Sequence, residues 1–87
     1  MDKVYEIRDG GAEIIVRVNG KSGRLTSNCG VKSKRLTRGD KLFNAAIDGV
    51  ESLILALACA GVNIEAPEIV EAVGTALEAV GNNYDFN

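Results

Sequence analysis

Five cations fall within ten residues of this chain: Lys32, Lys34, Arg35, Arg38 and Lys41, offset only by Asp40. They lead into a helix start, where unsatisfied backbone N–H groups favour anions. The chemistry on offer is contact with a phosphate, a nucleotide, a nucleic acid or an acidic protein surface. Two features weigh against a dedicated nucleic-acid binder. No aromatic residue is interleaved to stack on bases, and the sequence pI is about 5.0. The plain alternative is a solvated loop facing the chain's own acidic helices.

Other reactive groups are few. The absence of histidine removes Ser-His-Asp and Cys-His catalysis and the commonest zinc ligand. Cys29 lies beside Gly30 in basic surroundings that would lower a thiol pKa. A nucleophile also needs a base and an orienting partner, and neither is legible. Cys59 sits in an apolar run and reads as a packing residue. Two distant cysteines cannot fill a structural zinc site. They are expected as free thiols, with no disulfide between them, in a reducing cytoplasm. Glu65, Glu68 and Glu71 lack the alternation and central glycine of a calcium loop; they suit a helix N-terminus instead. No phosphate-binding glycine motif is present. The expectation is a non-enzyme, with no catalytic residue, no metal and no cofactor.

The elements that must position these residues come from periodicity. Residues 3–8 and 12–18 read as strands joined at Gly10-Gly11, and a third strand runs from Lys21 to about Thr26. Asn19-Gly20 is a type I′ hairpin signal, which pairs Val18 with Lys21, Val16 with Gly23 and Ile14 with Leu25. The Gly10-Gly11 turn pairs Asp9 with Ala12, Ile7 with Ile14 and Tyr5 with Val16, and sets Arg8 opposite Glu13. Tyr5, Ile7, Ile14, Val16, Val18 and Leu25 then share one face. Residues 27–36 are either a loop or a fourth edge strand blunted by lysines.

Thr37-Arg38-Gly39-Asp40 fits a capping box, so a first helix starts there and ends near Gly61. Phe43, Ala46, Ile47, Val50, Ile54 and Leu57 form its stripe. A second helix starts at Pro67, carries Ile69, Val70, Val73, Leu77 and Val80, and stops at Gly81. The expected fold class is α+β. One domain covers residues 1–87: a β meander and basic loop over 1–36, a helical hairpin over 37–81, and a polar tail over 82–87 with Tyr84 and Phe86.

Charge divides along the chain. Residues 1–41 carry all ten Lys and Arg against five acids, and residues 42–87 carry seven acids and no Lys or Arg. Such a split steers association. The stretch Leu53–Ala60 is apolar on every side of a helix, and such a helix is buried on every side. One sheet and one helix cover only part of it. Leu55 and Cys59 are expected to project away from the core beside Ser52, Leu53 and Ala56, as the interface of a homo-oligomer, most simply a two-fold dimer. The longest apolar run, Leu53–Val62, is half the ~20 residues a membrane span needs, so no membrane partner is expected. The charged opening Met1–Glu6 has no apolar leader pattern, and a cytoplasmic protein is the expectation.

The stretch Phe43-Asn44-Ala45-Ala46-Ile47-Asp48-Gly49-Val50-Glu51-Ser52-Leu53, continuing through Ala58–Val62 to Ala79–Asn83, resembles the C-terminal half of small uncharacterised proteins of bacteriophages and prophages. It covers about half the chain and carries no catalytic motif, so no functional residue follows from it. The resemblance implies the cytoplasm of a host bacterium and, by size and context, an anti-defence role similar to anti-CRISPR inhibitors or nucleotide sponges. The leading expectation is a phage-type binding protein, an anti-CRISPR-like inhibitor that occupies a bacterial protein. The alternative is a nucleotide- or nucleic-acid-binding protein that uses residues 32–41.

Overall fold

The computed structural model describes residues 2–83; Tyr84 and Phe86 lie outside the described residues. Three strands, β1 (Asp2–Asp9), β2 (Ala12–Asn19) and β3 (Ser22–Ser27), precede two helices, α1 (Arg38–Cys59) and α2 (Pro67–Asn83). The sheet is an antiparallel meander in the order β1-β2-β3. The α+β arrangement expected from periodicity is therefore present.

Alternation explains the sheet. Tyr5, Ile7, Ile14, Val16 and Val18 are buried, at 0–8% exposure. Leu25 is half-buried against the same core, which Ile54, Ala58, Ile64 and Val73 complete from the helical side. Along the other face Arg17 is exposed, and Arg8 bridges Glu6 and Glu13 at 3.9 and 3.2 Å. The β1–β2 register is as expected, with Ile7 opposite Ile14 and Tyr5 opposite Val16.

The β2–β3 register is not. Asn19 pairs with Ser22, Val18 with Gly23, Val16 with Leu25 and Ile14 with Ser27. The turn is Gly20-Lys21, not Asn19-Gly20. Gly20 has φ 63° and, among the described residues, no non-glycine residue has positive φ, so glycine occupies the first central position, where a type II′ turn requires it. Asn19 stays in the strand, and its carbonyl accepts the Ser22 hydroxyl at 3.0 Å. The shift is two residues. It preserves the side-chain period, which is why the buried face survived the wrong turn.

Both ends of α1 are capped by identifiable chemistry. The Thr37 hydroxyl accepts from the Asp40 amide and the Asp40 carboxylate accepts from the Thr37 amide, each at 3.0 Å. This is the expected capping box. At the other end of α1, Gly61 N–H donates to the Ala58 carbonyl and Val62 N–H to Leu57, at 3.1 and 3.0 Å. With Gly61 at φ 92°, this is a Schellman cap. Helix α2 opens on Pro67 and runs through Gly81 to Asn83. Gly81 is thus inside the helix and does not stop it.

The buried face of α1 is rotated from the expected stripe. Ile47, Ile54 and Ala58 are its buried residues. The cause is Gly23 in β3. A Cβ there would meet Cys59 Sγ at 2.9 Å and Leu55 Cδ1 at 3.0 Å. The missing side chain lets α1 settle over β3, so Leu55 and Cys59 turn inward and become half-buried. The opposite side of α1 is left open. Leu53 is 61% and Leu42 45% exposed, and Ala45, Gly49, Ser52, Ala56 and Ala60 are exposed around them.

Candidate functional site

The basic segment is a loop, and no fourth strand forms. Its geometry follows from two asparagines. Asn28 continues the ladder for one step, its amide donating to the Glu13 carbonyl at 3.2 Å. Its side chain then closes the sheet end: Oδ1 accepts from the Glu13 amide at 2.7 Å and Nδ2 donates to the Gly11 carbonyl at 2.9 Å. Gly30, at φ 92°, turns the chain out of extended geometry. Asn44, on α1, takes both backbone groups of Val31. Its Oδ1 accepts the Val31 N–H at 2.7 Å and its Nδ2 donates to the Val31 carbonyl at 3.0 Å. Val31 has nothing left to offer a ladder.

This clamp fixes the base from which the cations project. Lys32, Lys34, Arg35, Arg38 and Lys41 are all exposed. Lys32 Nζ reaches the Ser27 carbonyl at 3.3 Å. Among the described residues, none of the five has a carboxylate within ion-pair distance; Arg8 alone is paired. The segment is tied to α1 through Asn44 and Val31, not through ion pairs of its cations. The arrangement can attract an anion or an acidic surface. It has no aromatic platform.

Cys29 sits at the foot of this loop, and the expected activation is reversed. Burial pushes its thiol pKa up, with Glu51 adding to the rise. The Ser27 hydrogen bond and Lys32 only partly oppose them. Glu51 lies at the same loop foot, where it accepts from the Ser27 hydroxyl at 3.0 Å. Both thiols are free, with Cys59 over Gly23 and Cys29 just beyond the far end of β3.

The expected apolar interface separates into two groups. Ser52, Leu53 and Ala56 lie on the open side of α1. Leu55 and Cys59 do not, because they cover Gly23. At ~100° per residue, the open face is instead completed by Leu42, Ala45, Gly49 and Ala60. Counted as an uninterrupted run the apolar stretch is short. Averaged over an 18-residue window, α1 reaches a mean hydropathy of 1.6, long and apolar enough by length and composition to cross a membrane. Only 17% of that window is buried.

Acidic side chains from both halves of the chain line a separate concavity. Asp9, Glu65, Glu71 and Glu78 line a groove between β1 and α2. The Asp9 carboxylate lies against Gly74, where a Cβ would collide with it. Glu65 is structural, accepting the Glu6 amide of the β1 edge at 2.9 Å. No group of three or more metal-ligating side chains occurs among the described residues. Periodicity and composition also missed the Arg17–Arg24 pair on the outer sheet face; only the corrected β3 register reveals it. No family model, curated protein or solved structure matches the chain.

Proposed function

We propose a non-catalytic protein-binding module that assembles as a two-fold dimer on the open face of α1 and occupies an acidic protein target through the basic loop. The observation that carries this reading is α1 itself. Leu53 is 61% and Leu42 45% exposed on its open face. Full burial of one leucine is worth roughly 1.5–3 kcal/mol, and a two-fold contact buries each residue twice. The small residues Ala45, Gly49 and Ala56 allow close backbone approach. A second copy is the simplest partner with a matching apolar face.

Dimerisation there leaves the basic loop, the acidic groove and the outer sheet face free. The loop supplies the target contact, held in place by Asn28 and Asn44 and displaying cations with no carboxylate in ion-pair range among the described residues. The resemblance to bacteriophage proteins supports a bacterial target and an anti-defence role. A second reading, a nucleotide or nucleic-acid ligand on the same loop, is favoured by the same unneutralised charge. Capture from bacterial lysate separates them. The wild type and a Lys34→Glu/Arg35→Glu/Arg38→Glu variant are compared, with and without nuclease. A protein retained after nuclease by the wild type and lost by the variant supports the binding module. Capture abolished by nuclease, with an affinity that falls steeply with salt, transfers the loop to nucleic acid. Equal capture by both proteins removes the loop from function.

A further inference from the structure

The outer face of the sheet carries its own charge feature, on the side opposite α1 and the core. Arg17 and Arg24 stand directly across from each other on β2 and β3. Like charges in that position destabilise a sheet. The same face neutralises its other arginine, Arg8, with Glu6 and Glu13. Among the described residues, Arg17 and Arg24 have no ion-pair partner, and both are exposed. They line one depression with Asp2, Asn19 and Ser22.

We propose that Arg17 and Arg24 form a two-pronged site for a single phosphate group. Directly opposed residues in an antiparallel pair have Cα atoms ~5.5 Å apart or closer. Two guanidinium forks anchored that close converge on one anion rather than spanning two. A phosphate dianion offers several acceptor oxygens and enough charge to match both arginines. Asn19, on the next row of the same face, adds an amide donor. The Ser22 hydroxyl is already committed to the Asn19 carbonyl at 3.0 Å. Asp2, in the same depression, repels any anion and weakens the site. This site is independent of the basic loop. The shared chemistry is phosphate, whether free or as a phosphodiester in a nucleic-acid strand.

The test is an NMR titration of arginine Nε–H signals with inorganic phosphate and, separately, with a short oligothymidylate, against sodium chloride of equal ionic strength. Saturable shifts of Arg17 and Arg24, with Arg8 unmoved, are expected. Arg17→Gln or Arg24→Gln should weaken phosphate binding about tenfold, and Asp2→Asn should tighten it. Oligothymidylate binding tighter than phosphate identifies a phosphodiester source; the reverse order identifies free phosphate. Equal shifts in chloride, or unchanged phosphate affinity in both glutamine variants, overturn the site. Circular dichroism of the exposed-site variants confirms that the sheet remains folded.

Discussion

Replacing Gly23 by alanine tests how α1 sits on the sheet. The new Cβ would lie 2.9 Å from Cys59 Sγ, 3.0 Å from Leu55 Cδ1 and 3.2 Å from the Arg17 carbonyl. Leu55 can swing its methyl aside. The Cys59 sulfur is short and tied to the helix, and the carbonyl belongs to the β2 ladder, so neither yields without moving an element. Overpacking of this kind costs about 1–3 kcal/mol. Reduced freedom of the unfolded chain returns about 0.4–1 kcal/mol. The net expectation is a loss of about 1–2 kcal/mol, a fall in Tm of roughly 5–15 °C for a domain of this size. Urea denaturation of Gly23→Ala, Cys59→Ala and the double variant reads the coupling. Removing the sulfur should relieve part of the clash, giving a favourable interaction energy of at least about 0.5 kcal/mol. A Gly23→Ala protein as stable as the wild type, with no coupling to Cys59, would refute this placement and return Leu55 and Cys59 to the surface.

Three further outcomes follow from the loop and its foot. Asn44→Ala removes both bonds to Val31 and should cost about 1–2 kcal/mol, with faster amide exchange at Val31 and Lys32 while the sheet amides stay protected. Thr37→Ala removes the N-cap and should cost about 0.5–2 kcal/mol, seen as a lower urea midpoint at unchanged slope. Cys29, its pKa raised mainly by burial, should react more slowly than an exposed thiol with a thiol reagent near neutral pH. Because the folded thiol holds its proton more tightly than the unfolded one, stability should fall as pH rises from the unfolded thiol pKa through the folded one. Cys29→Ala should flatten that slope, as measured by denaturation across the alkaline range.

The fold was legible where two independent patterns agreed. Alternation in β1 and β2 and the Gly10-Gly11 turn point to one register, and Thr37–Asp40 marks a helix start. Asn19-Gly20 misled because a two-residue turn one position later, Gly20-Lys21, is equally available to a glycine with positive φ. That ambiguity leaves the inward face intact but hides cross-strand neighbours, so the Arg17–Arg24 pair could not be read. Periodicity also misjudged α1. A helix apolar on most sides does not announce which side docks, and the decision falls to Gly23, a residue with no side chain. Ile64, fully buried, went unnoticed between Asn63 and Glu65 because a loop has no period. The basic loop was visible as composition. Its ordering was not, since Asn28 and Asn44 act through backbone groups of residues distant in sequence.

The open face of α1 is tested most directly by the solution mass of the wild type and of Leu53→Asp, measured by light scattering over rising protein concentration. Leu53 is 61% exposed, so the aspartate leaves the core untouched and far-UV circular dichroism should not change. The wild type should approach twice the 9.2 kDa chain mass, and Leu53→Asp should remain at the chain mass throughout. A wild type that stays at 9.2 kDa at the highest concentration, or a Leu53→Asp protein that dimerises equally well, would contradict the proposed dimer.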